Sequence, residues 1–490
     1  MDDRLVVETT EGAVRGVADD GNGRCFRGIP FAMPPVGDLR FQPPQPAPGW
    51  SDIRSAEHYS PAPAQGSGGL AGDGGSTFPT FPTAAITTTS EDCLYLNVWT
   101  PAASSEPLPV VVWIFGGGLE AGSANPPYSD GSALSRLTGA VVVTINYRLA
   151  ALGHLFLEGW SSNLALQDQV CALGWVKRNI ERFGGDPDNI IVAGQSAGAF
   201  SIGTLLGMPS ARGLFAKAIL HSGNASRVID RPVAAAMAAD LLDALRVDEP
   251  EQLRTVPLRS ILELQGTVVS GDIGERNLPG GRAWGTVVDG TVVPVHPLHA
   301  ITGDVPLLVG ATRDEVRIFR LLAGDAFAIP MPRVHDEMRR IGVTDPAALA
   351  DAYIARIGSG DPADVRVAFL SDAVYRRPAI DLVRAQLAAG GTAHHFLLED
   401  EPCGSRMGAF HGSDLLFIFD KLAQVDAATP AHLAVRTTLV DAWKAFLWKG
   451  DPGWTPWQPG APSSRAIGGT NDMVIEPPAD EVRRCWPERG

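Results

Sequence analysis

The chain is short of the features that would tie it to a membrane, a nucleic acid or a metal. Its 490 residues hold only five cysteines, Cys25, Cys93, Cys171, Cys403 and Cys485. The number is odd, the spacing is scattered, and no pair is placed like the ligands of a zinc site, so neither a disulfide framework nor a Cys-based metal centre is expected. Reduced thiols of this kind predict a cytoplasmic protein. No apolar run approaches the ~18 residues of a membrane span, and Met1-Asp2-Asp3-Arg4-Leu5-Val6-Val7-Glu8 has neither the basic nor the apolar region of a secretory signal. Basic residues are the minority: 40 Lys and Arg stand against 55 Asp and Glu, a formal charge of −15. An acidic surface repels phosphate backbones and anionic lipid, which argues against nucleic acid as a partner. The histidine pairs His296/His299 and His394/His395 have no nearby Cys or carboxylate to complete a ligand set and read as structural or surface groups. Neither metal nor cofactor is expected, and the oligomeric state is left open.

What is present is a core-forming composition, 45% hydrophobic and 19% charged. Residues 110–115, 140–146, 189–193, 217–221, 305–309 and 394–398 are short, apolar and rich in β-branched side chains. Continuous apolar strands of that kind belong to a parallel sheet covered on both faces. Residues 163–183 carry apolar side chains at helical spacing, Leu166, Val170, Leu173, Val176 and Ile180, and stop at Gly184-Gly185. The fold class is therefore α/β, with a mostly parallel central sheet between helices. The first ninety residues read as a small β-ribbon with Pro-rich connections, and residues 60–90, almost all Gly, Ser, Thr, Pro and Ala, as a long mobile loop. Helical insertions at about 230–285 and 325–388 are expected to cap one catalytic domain spanning 1–490.

The stretch that organises the chain is Gly194-Gln195-Ser196-Ala197-Gly198, placed between the apolar run 189–193 and a helix-compatible segment. Strand, Gly-x-Ser-x-Gly and helix make a nucleophile elbow, a turn so tight that bulky side chains two residues either side of the serine would clash. Ser196 is the candidate nucleophile. An acyl-transfer serine also needs a base, a carboxylate to orient the base, and backbone donors for the oxyanion. Gly116-Gly117-Gly118 follows the strand at 110–115, so the N–H groups of Gly117 and Gly118, with that of Ala197, are the candidate oxyanion hole.

With those motifs in place the chain resembles the type-B carboxylesterase/lipase family of α/β-hydrolases. Further stretches carry the likeness along nearly the whole sequence: Phe26-Arg27-Gly28-Ile29-Pro30-Phe31-Ala32, Glu91-Asp92-Cys93-Leu94-Tyr95-Leu96-Asn97-Val98, Asn146-Tyr147-Arg148-Leu149 and Phe183-Gly184-Gly185-Asp186-Pro187. The resemblance implies that Glu315, in Thr312-Arg313-Asp314-Glu315, is the catalytic acid, with Asp314 as its local competitor. It implies that His411, in Ala409-Phe410-His411-Gly412-Ser413-Asp414, is the base. Ser196, Glu315 and His411 then follow the nucleophile, acid, base order of the fold. The implied activity is hydrolysis of small carboxylic esters through an acyl-enzyme. Amide or carbamate cleavage and lipase action are alternatives with the same triad. A non-catalytic binding protein of the fold is a further alternative, against which stands the presence of Ser196 with Glu315 and His411, since such relatives lose the nucleophile.

Departures from the family pattern shape the expected specificity. Phe115 stands before the Gly triplet where His or Tyr is frequent, and Leu119 replaces an aromatic, which predicts a softer pocket wall. Gln195 replaces a Glu beside the nucleophile, and Val316 replaces the Gly after the acid. Thr83 stands where cholinesterases carry a cation-stacking Trp, so choline esters are disfavoured. Cys93 lacks the upstream cysteine that pairs with it in secreted relatives. A closed apolar acyl pocket favouring acyl chains of about butyryl to hexanoyl length is expected.

Overall fold

The apolar runs become neighbours in one sheet because side chains that are apolar on both faces can be buried only from both sides. The computed structural model describes residues 3–19, 23–66, 88–102, 104–126, 129–459, 463–469, 473–475, 482 and 484–487. Its large sheet has eleven strands: β1 (Val17–Ala18), β2 (Arg24–Pro30), β3 (Tyr95–Thr100), β4 (Leu108–Ile114), β5 (Val141–Ile145), β6 (Gly185–Gln195), β7 (Lys217–His221), β8 (Leu307–Thr312), β9 (Ala393–Leu398), β10 (Ser463–Ile467) and β11 (Met473–Ile475). The order across the sheet is β11-β10-β9-β8-β7-β6-β4-β5-β3-β2-β1. From β5 to β10 every neighbouring pair is parallel, and both edges are antiparallel. The chain belongs to the α/β-hydrolase architecture, and β4 and β5 are buried along their whole length.

Six helices matter for the site: α1 (Leu164–Asn179), α2 (Ala197–Leu205), α3 (Arg231–Leu245), α4 (Ile273–Asn277), α5 (Arg317–Ala323) and α6 (Arg377–Ala388). Helix α1 runs into a single tight turn, Ile180–Phe183, and stops at Gly184, whose φ of 90° only glycine adopts without strain. Family motifs far apart in sequence prove to be buried ion pairs. Arg148 grips Asp168 of α1 through two nitrogens at 2.7 and 2.9 Å, and Arg40 meets Glu91 at 2.6 Å while donating to the carbonyl of Leu253.

Three readings of the sequence change in detail. The strand at Arg24–Pro30 pairs with β3 and so joins the large sheet, leaving the separate ribbon to Val6–Glu8, Ala13–Arg15 and Arg54–Ser55. The helical stretch 325–388 divides in two. Val334, Met338, Leu349, Tyr353 and Phe369 build a second apolar cluster joined by Phe200, whereas α6 packs Ile380, Leu382 and Val383 into the main core against β8 and β9. Finally, the glycine-rich stretch is pinned at its flanks: Ala62–Pro63 pairs with Thr89–Ser90, and Gln65 exchanges two hydrogen bonds with the backbone of Gly122 at 2.9 and 3.0 Å. Residues 67–87, Thr83 among them, lie outside the described residues.

None of the five cysteines is joined in a disulfide, and Cys25 and Cys93 are buried. Burial pushes the Cys25 thiol up to about 12 and those of Cys171 and Cys403 up to about 11, so little reactive thiolate is present at neutral pH. The melting temperature is therefore expected to be the same with and without dithiothreitol. A drop of several degrees in reductant, seen by calorimetry, would reveal a stabilising bridge.

Candidate active site

Register places the functional loops side by side. Ile114 at the end of β4 is opposite Gly194 near the end of β6. Gln195 is in turn opposite His221, and His221 opposite Gly310 of β8. The strand order reverses at β4, and it is at the carboxyl ends flanking such a reversal that α/β sheets open a crevice. Ser196 sits there with φ 54° and ψ −123°, a conformation outside the ordinary regions for a side-chain-bearing residue. A hydrogen bond and the close packing of two glycines hold it. Its N–H donates to the carbonyl of His221 at 2.9 Å. A Cβ on Gly198 would lie 1.9 Å from the carbonyl oxygen of Ile114, and one on Gly194 would lie 2.8 Å from it, so neither position tolerates a side chain. Ser196 itself is half-buried, between neighbours that are buried.

His411 lies in the loop after β9 and Glu315 in the loop after β8. The imidazole Nδ1 is 2.6 Å from Glu315 Oε2, and the other carboxylate oxygen, Oε1, accepts from the N–H of Thr312 at 2.8 Å. Glu315 is 0% exposed. Asp314, the competitor, faces elsewhere: it accepts from the N–H of Ala409 at 3.1 Å and pairs with Arg313 and Arg317 at 2.9 and 3.0 Å. Val316 takes an ordinary helical conformation, φ −87°, and its N–H donates to Ser371 at 3.0 Å, so the side chain after the acid introduces no strain. Ser371 opens a π-helical turn, Ser371–Arg376, that sets the Tyr375 ring 4.8 Å from the imidazole.

Gln195 has a role that its motif position does not reveal. Its side-chain nitrogen lies 3.2 Å from His411 Nε2. With Nδ1–H directed at Glu315, Nε2 is the acceptor and the amide the donor. At 3.2 Å the contact is long for an N–H donor, so a serine hydroxyl can displace it. Asp414, in the same loop as His411, anchors that loop to β7 through His221 Nδ1 at 2.7 Å. His221 Nε2 accepts from the Trp443 indole at 3.0 Å, so the nitrogen a second base would use is already occupied.

On the opposite side of Ser196, the glycine triplet turns sharply. Gly117 has φ 124° and Gly118 φ 67°, and a Cβ on Gly117 would come within 2.0 Å of the carbonyl of Ala121. Among the described residues, the N–H groups of Gly117, Gly118 and Ala197 donate to no protein acceptor. Ala197 opens α2, so the positive end of that helix dipole points the same way. Phe115 turns away from the opening and stacks on Tyr147 with centroids 4.4 Å apart.

A cleft enclosing ≈ 440 Å³, part of it open to solvent, is lined by Gly118, Ser196 and Ala197 on the sheet side and by Leu119, Phe200 and Phe319 as apolar wall. Beside this apolar wall, Arg227, Arg276 and Asn277 complete the lining of the cleft. Sequence reasoning missed these three: they lie well apart from the motifs, and α4 brings two of them back to Ser196. Helix α4 is itself tethered. Asp272 caps it by accepting from Gly274 and Glu275 N–H at 2.9 and 3.0 Å, and the buried Arg366 ties Asp272 to Glu337. A Cβ on Gly274 would meet Glu337 at 2.2 Å.

Among the described residues no group of three or more His, Cys, Asp or Glu side chains is arranged to hold a metal ion, and no helix is long and apolar enough to cross a membrane. The fold and the cleft, with a strained serine at the switch of a parallel sheet, define an α/β-hydrolase. Comparison with known proteins narrows the class: the model of the carboxylesterase family matches residues 3–469, and the chain belongs to that family. It is 32% identical to the para-nitrobenzyl esterase of Bacillus subtilis, with 99% of each chain covered. It is 35% identical to the phenmedipham hydrolase of Pseudarthrobacter oxydans, over 92% of this chain and 91% of the relative. The crystal structure of a Geobacillus stearothermophilus carboxylesterase superposes with a TM-score of 0.85 at 30% identity, covering 99% of this chain and 100% of that one. The protein is a carboxylic ester hydrolase.

Proposed function

We propose that Ser196, His411 and Glu315 form the catalytic triad of a serine carboxylesterase, with Gly117, Gly118 and Ala197 as the oxyanion hole. The observation that carries this reading is the 2.6 Å contact between His411 Nδ1 and the buried Glu315. A buried carboxylate fixes the tautomer that leaves Nε2 free to take a proton, and it stabilises the imidazolium that results. As Ser196 attacks the ester carbonyl, its proton passes to His411 Nε2, displacing the Gln195 amide. The carbonyl electrons move to an oxyanion facing the three N–H groups, each contributing about 2.7–4 kcal/mol of barrier lowering by the measure of a protease donor. Collapse expels the alcohol, protonated by His411, and water activated by the same nitrogen releases the acid. Leu119, Phe200 and Phe319 in the cleft wall support short-to-medium acyl chains, and five cysteines outside any disulfide fit a reducing, cytoplasmic setting.

The test is a hydrolysis screen of matched p-nitrophenyl esters and p-nitroanilides, with Ser196→Ala as the blank. Esters are expected to turn over by orders of magnitude faster than anilides, with a maximum near butyryl or hexanoyl. An anilide rate equal to the ester rate would move the enzyme to the amide class.

A further inference from the structure

We propose that the cleft is built for esters that carry a second, ionised carboxylate, and that Arg227, with Arg276, binds it. The inference rests on the esterase reading above and names the substrate class that the same site would take.

Arg227 faces the cleft beside Ser196 with neutral partners only. Its Nε donates to the carbonyl of Trp284 at 3.3 Å, and one terminal nitrogen donates to the Asn277 side-chain oxygen. Among the described residues it forms no ion pair. Burial, and then the nearby Arg276, push its guanidinium down to about 10, still a cation at neutral pH. Arg276 is paired with Glu120 on the turn after the glycine triplet, yet its Nε is buried and without a partner. The charged groups nearest the cleft are thus two guanidiniums and one carboxylate. Glu315 is engaged beneath His411, Glu275 is drawn off by Arg340 at 2.8 Å, and Asp272 by Arg366. One positive charge is left over.

A half-buried cation that lines a cleft and has no anion of its own marks a binding site, because a ligand can supply the missing charge. Guanidinium matches carboxylate in shape, and two N–H donors can meet both oxygens. The whole chain carries a formal charge of −15, so long-range steering works against an anionic substrate and the local cation must supply the recognition. The same cation disfavours choline esters, independently of Thr83.

Two probe pairs separate the acyl side from the alcohol side, followed by proton release in a pH-stat. Monoethyl glutarate against ethyl hexanoate places the carboxylate on the acyl chain, and O-butyryl glycolate against isobutyl butyrate places it on the alcohol. In the wild-type enzyme at least one anionic probe is expected to exceed its neutral partner in kcat/KM by ~10-fold or more, and the pair that does so identifies the side. In Arg227→Gln that ratio is expected to fall toward one, through KM, whatever the absolute rate. Glutarate should also inhibit wild-type hydrolysis of ethyl hexanoate competitively, a readout that needs no variant. Ratios of one or less for both pairs in wild type, or a ratio unchanged in folded Arg227→Gln, would overturn the proposal. Hydrolysis of the neutral esters alone would leave the esterase reading standing, whereas failure to cleave any of the four would count against that reading.

Discussion

Replacing Ser196 or His411 by alanine is expected to lower kcat on p-nitrophenyl butyrate by at least ~10³-fold, and the double replacement to cost little more than either single one. The reason lies in coupling. Without the hydroxyl, His411 has no proton to accept. Without the imidazole, the hydroxyl must attack as a neutral alcohol. Either loss therefore removes the same step. Any residual rate comes from binding and from the backbone donors of Gly117, Gly118 and Ala197, which neither substitution touches. Neither change should threaten the fold, since Ser196 is held by its main chain and His411 lies in a loop anchored separately through Asp414, its ring tilted against Tyr375 and Phe319. Near-wild-type turnover by purified Ser196→Ala, confirmed as folded by circular dichroism, would remove the mechanism altogether.

Glu315→Gln is expected to lower kcat by about 10⁴-fold, the size that a wrong histidine tautomer costs in a serine protease triad. One oxygen of the carboxylate accepts from Thr312 N–H and the other faces His411 Nδ1. In the amide, the oxygen keeps the Thr312 bond and the NH₂ must face the imidazole. Nδ1 then becomes an acceptor, Nε2 carries the proton, and the base is lost. Asp314→Asn removes pairs with Arg313 and Arg317, both of them at least one-third exposed. Exposed pairs of that kind contribute roughly 0–1 kcal/mol, so a small loss of stability and near-normal kcat are expected. Stopped assays on the two purified variants decide it, and the opposite ranking would assign the acid to Asp314.

How much of this was legible in the sequence depends on the range over which each feature is determined. The elbow is local: a buried strand, two glycines with a steric reason to be glycine, and a helix all lie within about twenty residues. The strands were legible for the same reason, since a run such as Val110-Val111-Val112 has few places to go except a sheet covered on both faces. The contact between His411 and Glu315 could be anticipated only from family motifs, because no periodicity links two loops nearly a hundred residues apart. The cleft wall was the least legible part. Arginines in a chain of ordinary composition read as surface, and only the folding back of α4 shows that Arg227 and Arg276 share a cavity. The π-helical turn that presents Tyr375 was equally hidden, since its residues would suit an ordinary helix. Arg24–Pro30 was not singled out because this strand, next to the sheet edge, has the mixed composition of a ribbon.

The tether on α4 implies a division of labour within the chain. Ser196, Gly117, Gly118, Ala197 and His411 all follow directly on or shortly after sheet strands, whereas Arg276 and Asn277 hang from a five-residue helix whose position is set by Asp272, Arg366 and Glu337. Evolution can therefore redraw the wall through a handful of positions in the insertions while the reacting groups stay untouched. An Arg366 substitution, remote from the serine, belongs to that class: it would loosen the segment presenting the cleft's polar groups and so alter which esters are chosen more than how any one of them is cut. For laboratory evolution, the insertion that carries Asp272 to Asn277 is the region to randomise when a new substrate is wanted, and the strand ends are the region to leave alone.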